Sequence, residues 1–257
     1  MRDIKMPLTE HLSDLRKRII ISLIALLIGF VAAFIYSEEL FRFLTIPLKY
    51  DISFSTSSPF AVMVEKKVKI PPLVFLAPAE AFWMHLKISM ITGLIISLPV
   101  IFLQLWKFVS PGLLHKEKKY VIPFVIIATT FFLIGAAYCF FLVLPLAMGF
   151  LLTYKTESMT PMLSIGKYVD FCLKFILAFG AIFELPIAII FSARMGIVTP
   201  KTLAKNRKYA IILAFVVAAI LTPTPDAFNQ ILMAVPIIVL YEVGILISRI
   251  FIRREAT

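Results

Sequence analysis

Charge, cysteine and histidine are scarce in this sequence. Charged residues make up 16% of the 257 positions, against about 25% in soluble domains, which excludes a large water-facing domain. The two cysteines, Cys139 and Cys172, both fall in apolar stretches, so there is no disulfide framework to read. His11, His85 and His115 are scattered. With no H-E-x-x-H pattern and no Cys/His cluster, nothing here suits zinc. A G-x-x-x-x-G-K-[ST] loop is missing too, so nucleotide phosphates have no cradle. No Ser or Asp nucleophile has a base or a second carboxylate at a readable spacing. The sequence therefore reads as a non-enzyme that uses neither metal nor cofactor.

What it has in excess is apolar surface. Hydrophobic residues reach 61% and the mean hydropathy is +0.97, so the bilayer is the natural solvent. A spanning helix uses roughly 20 apolar residues, which leaves room for about six and their loops. The pattern predicts an all-α membrane protein, one polytopic domain over residues 1–257, with spans near 19–36, 78–106, 120–148, 167–193, 209–222 and 228–248.

The first span follows Arg16, Lys17 and Arg18, a layout that a signal peptide would share. Its apolar run exceeds the roughly 7–15 residues of a signal core and no small-x-small site follows, so it reads as a retained helix. Residues 37–76 form a mixed loop with four prolines, in which short helices and irregular backbone are expected on the membrane surface. The uncharged stretch Tyr120–Tyr154 would reach about 52 Å as one helix. It must tilt, protrude or break, and Pro145 marks the break. The fifth run, Tyr209–Leu221, extends only about 20 Å against a hydrocarbon core of about 30 Å. The sixth span is interrupted by Gln230 and Glu242, which leaves the apolar segment Ile231–Tyr241 short as well. No internal repeat is visible.

The net charge of +11 reports on topology first. Seventeen Lys and Arg side chains lie in the N-terminal segment, the 2–3 and 4–5 connectors and the tail, against seven on the opposite side. The positive-inside rule then puts both termini in the cytoplasm, and nucleic acid is not the partner implied.

Few acids stand among those cytoplasmic cations. Asp14 lies one turn before Arg18, and its plain reading is an i,i+4 surface pair worth a few tenths of a kcal/mol. Glu117, between Lys116 and Lys118, reads equally as a solvated loop carboxylate. The functional alternative is that both receive guanidinium groups, whose planar fork meets a carboxylate through two charge-assisted hydrogen bonds. Glu184 differs, because an ionised carboxylate at mid-membrane costs at least a few kcal/mol. It must face protein or water, either as a structural carboxyl bonded inside the bundle or as a functional group. Asp170 and Lys174, four apart on one helix, are expected to neutralise each other.

These residues, taken in order, resemble the TatC family, the core membrane subunit of the twin-arginine protein translocase. The resemblance runs through Glu10-His11-Leu12-x-Asp14-Leu15-Arg16-Lys17-Arg18, Pro47-Leu48, Trp106-x-Phe108-x-x-Pro111-x-Leu113 and Lys116-Glu117. It continues in Phe179-Gly180-x-x-Phe183-Glu184-x-Pro186, Leu221-Thr222-Pro223 and Asp226-x-Phe228-x-Gln230. It implies a glove-like, concave six-helix receptor in the inner (plasma) membrane. Such a receptor binds signal peptides with consecutive arginines and exports folded proteins using the proton-motive force.

The resemblance implies that Asp14 and Glu117 form the arginine site, where the family usually has Glu at the first position. Arg16 and Phe108 flank it, and Pro47 belongs to the first outer loop. Glu184, with Gln230 and Asp226, falls where the family meets the single-span TatA and TatB partners. Self-association and contact with membrane lipid are implied as well. The competing reading is a proton- or ion-coupled small-solute transporter, motivated by Glu184, Asp170 and Lys174 within the membrane. That reading calls for inverted repeats. A purely structural assembly scaffold is the third possibility.

Overall fold

The structure, a computed structural model, describes residues 8–54, 61–65, 73–109, 121–153, 162–222 and 226–255. Helices dominate, as they must where the backbone has no water to bond. They are α1 Leu8–Ile35, α2 Ser37–Leu44, α3 Ile46–Lys49, α4 Glu80–Val109, α5 Val121–Tyr138 and α6 Leu144–Thr153, then α7 Ile165–Phe183, α8 Leu185–Arg194, α9 Pro200–Lys205, α10 Arg207–Leu221 and α11 Ala227–Glu255. Among the described residues, five stretches are long and apolar enough to cross a membrane: His11–Ile35, Glu80–Phe108, Val121–Thr153, Ile165–Arg194 and Ala227–Ile250.

Helix α10 falls short, since its 15 residues reach about 22 Å. The expectation that the sixth span is also short does not hold. Helix α11 runs 29 residues straight through Gln230 and Glu242, because both side chains find lateral partners. Gln230 Nε2 donates to the Phe215 carbonyl at 3.1 Å, and Glu242 receives Arg207 through two contacts of 2.7 Å.

The prolines act unequally. Ahead of Pro145 the chain does not break; a π turn over Cys139–Val143, closed by Leu144 N–H on the Cys139 carbonyl, absorbs the missing donor and the helix resumes. Pro186 does interrupt its helix. The Glu184 N–H bonds back three residues, to the Ala181 carbonyl at 3.2 Å, and α8 starts anew with the proline in its first turn, where its lacking N–H costs nothing. Pro99 and Pro236 lie inside α4 and α11 without ending either.

The first loop holds α2 and α3, as expected, and also a hairpin that the proline-rich composition hid. Strand β1, Tyr50–Phe54, pairs antiparallel with β2, Ala61–Glu65, in the register Tyr50↔Glu65. Strand β3, Leu73–Val74, pairs parallel with β4, Leu163–Ser164.

Packing divides the chain into two units, Met1–Phe41 with Phe82–Thr130 and Arg42–Ala81 with Phe131–Thr257. In the first, α1 crosses α4 at glycine on both sides, with backbone against backbone; a Cβ added to Gly93 would stand 2.5 Å from the Phe30 nitrogen. Leu23, Leu27, Ile28 and Val31 remain exposed on α1, a face suited to lipid. Further along α4, the Trp106 ring lies 4.2 Å from that of Phe124 on α5.

In the second unit the interior gathers Leu144, Phe175, Phe179, Met233 and Ile245, all fully buried. Phe132 lies over Gly180 and Phe183 over Gly135. The Tyr168 hydroxyl on α7 donates to the Leu44 carbonyl of α2 at 2.7 Å. The Glu80 carboxylate accepts from the Leu76 N–H, the Ser164 hydroxyl and, at 2.9 Å, the Gly166 N–H. It thereby clasps the start of α4 to the first turn of α7.

Candidate functional site

From Leu8 to Ile28 helix α1 carries neither proline nor glycine, and the spacing at its start selects one face. His11, Asp14 and Arg18 follow at i, i+3 and i+7, so they share a stripe. On α4, Gln104 and Phe108 stand four apart and share another. The two stripes meet. The His11 ring stacks on Phe108 with centroids 4.4 Å apart and planes inclined by 16°. Arg18 Nε donates to Asp14 Oδ2 at 2.8 Å, and its Nη1 donates to Gln104 Oε1 at 3.4 Å.

The plain i,i+4 pairing of Asp14 with Arg18 is thus present, with side chains 27% and 20% exposed. It is more than a helix-surface pair, because Gln104, itself buried, adds an acceptor from a second helix. Asp14 Oδ1 has no partner among the described residues. Chemically, this corner is a set of oxygen acceptors that already holds one guanidinium. Arg16 is exposed and lies about 200° around the helix from Asp14. Glu117 lies outside the described residues.

Pro47 sits in the first turn of α3, fully buried, where it shapes the loop rather than presenting a surface. Glu184 occupies the break between α7 and α8, its Oε1 buried without a hydrogen-bond partner among the described residues. Asp226 caps α11: its Oδ1 accepts the Asn229 N–H at 2.7 Å and its Oδ2 accepts Asn229 Nδ2 at 2.9 Å. Gln230, in the same first turn of α11, ties that helix to α10 as described above.

Sequence reasoning missed Gln104 and the Glu80 clasp. A lone amide near the end of an otherwise apolar span was the one available signal for Gln104. Nothing local marked Glu80, whose partners Ser164, at the end of β4, and Gly166, in the first turn of α7, lie more than eighty residues away.

The comparisons bear on these features together. The family model for the Sec-independent protein translocase protein (TatC) matches residues 10–236. The protein of that name from Desulforapulum autotrophicum is 42% identical over 251 residues, which cover 98% of this chain and 87% of that one. Its counterpart from Carboxydothermus hydrogenoformans is 40% identical over 255 residues, covering 99% and 98% respectively. Among solved structures, a crystal structure of the twin-arginine translocase receptor TatC in the detergent DDM matches with a TM-score of 0.77 at 40% identity, over 93% of this chain and 99% of that one. These likenesses give no support to a small-solute transporter. The chain belongs to the TatC family and is a non-enzymatic, multi-pass membrane component of the Tat protein translocase.

Proposed function

We propose that this chain is the signal-peptide receptor of the twin-arginine system, receiving cargo that crosses the membrane already folded and driven by the proton-motive force. The observation that carries the proposal is the guanidinium already held by Asp14 at 2.8 Å, on the helix whose His11 stacks on the Phe108 ring and on the segment that bears the family's motif. Asp14 and Glu117 receive the paired arginines, Phe108 and Arg16 flank them, and Pro47 supports the outer loop.

The reading takes the chain as a single membrane domain of six spans in a concave arrangement, with both termini cytoplasmic and the inner membrane as its site. The basic connectors support that orientation. The short α10 favours a locally thinned bilayer. The Glu184 carboxyl, with Gln230 and Asp226 at the start of α11, serves the single-span TatA- and TatB-type partners. Self-association completes the receptor complex.

Export of a folded reporter tests the proposal, in cells that lack their own TatC relative and carry this chain with its single-span partners. Restored export for an Arg-Arg signal and none for Lys-Lys supports it. Equal export of both signals contradicts it.

A further inference from the structure

The Asp14 carboxylate is occupied by the protein's own arginine. Arg18 reaches it through Nε and simultaneously touches Gln104 on another helix through Nη1. Two acceptors from two helices, a carboxylate and an amide oxygen, therefore hold one planar guanidinium, an arrangement that suits arginine and not the point charge of lysine.

The residue type at position 14 favours this capture. An Asp carboxylate stays close to its own helix, within reach of the i+4 side chain. The contact is a single one, through Oδ2, and the longer 3.4 Å contact to Gln104 gives the Arg18 head group a second place to rest once it leaves Asp14.

We propose that Arg18 is an internal competitor: its guanidinium fills the Asp14 acceptor between cargoes, and a signal-peptide arginine binds by displacing it toward Gln104. The inference rests on the reading of Asp14 as part of the arginine site. An incoming peptide then gains at Asp14 only the difference between two guanidinium–carboxylate contacts. The acceptor is kept neutralised when empty and is readily exchanged when filled, and the strength of the Arg18 contact sets the affinity.

The test is the binding of a fluorescently labelled twin-arginine signal peptide to the full chain in detergent. Arg18→Lys keeps the charge and the helix propensity but cannot span both acceptors, so it isolates displacement from simple repulsion. It keeps an i,i+4 cation beside Asp14 and loses only the fork and the second acceptor, so it is expected to lower Kd by about twofold, below the two- to fivefold value of a whole partly exposed ion pair. Arg18→Gln should lower it at least as far. In an Asp14→Asn background, Arg18→Lys should leave Kd unchanged. If Arg18→Lys and Arg18→Gln bind no tighter than the parent while Asp14→Asn alone weakens binding, the displacement is overturned and the arginine site stands. If Asp14→Asn alone changes nothing, Asp14 is not an arginine acceptor and both fall.

Discussion

Replacing Gly93 with alanine tests the packing that brings the two halves of the arginine corner together. The added methyl would stand 2.5 Å from the Phe30 nitrogen, 2.7 Å from its Cα and 2.8 Å from the Gly29 carbonyl carbon, where ordinary contact begins at 3.4 Å. All three are backbone atoms, so no rotamer change relieves them and α1 must move away from α4. Overpacking of this kind costs about 1–3 kcal/mol, and the rigid neighbours put this site at the upper end. Alanine's better helix propensity returns up to about 1 kcal/mol, which leaves a net loss of about 2 kcal/mol. Equilibrium unfolding in mixed micelles, titrated with SDS, measures it. The same shift separates Arg18 from Gln104 and His11 from Phe108, so peptide affinity should fall together with stability. A Gly93→Ala variant as stable as the parent would refute the close crossing and with it this account of how the corner is assembled.

Tyr168→Phe removes the donor to the buried Leu44 carbonyl and should cost about 1–3 kcal/mol in the same unfolding assay, the penalty of an orphaned buried acceptor. Asp226→Ala strips the cap from α11 and should cost about 1 kcal/mol; no change in unfolding would show that the cap is idle. Arg207→Ala breaks a partly exposed pair with Glu242, so a loss above about 1 kcal/mol would contradict its treatment as a surface bridge. Glu184→Ala should leave signal-peptide affinity intact while impairing partner assembly or export, and normal export by that variant counts against its proposed role.

How far these features can be read from sequence depends on how local their causes are. Long apolar runs locate each of the five spanning stretches among the described residues, even where Asp170, Lys174 and Glu184 interrupt one, since a bilayer allows the backbone no other solution. The shortness of α10 is equally plain. Helix α11 is underestimated because Gln230 and Glu242 look like interruptions, and their partners, Phe215 and Arg207, are 15 and 35 residues away. Pro145 and Pro186 look alike in sequence, but a π turn absorbs the first and a fresh helix start accommodates the second. The same contrast holds at the arginine corner. The pairing of Asp14 with Arg18 follows from one helical turn, whereas Gln104, 86 residues from Arg18, enters only through the crossing of α1 and α4.

Reception of paired arginines is the claim on which the rest depends, and the most direct measurement compares two peptides on the purified chain. A signal peptide with Arg-Arg should bind at least about tenfold more tightly than the same peptide with Lys-Lys, because the lysines keep the charge but lose the forked, charge-assisted hydrogen bonds. Equal affinities would contradict the account.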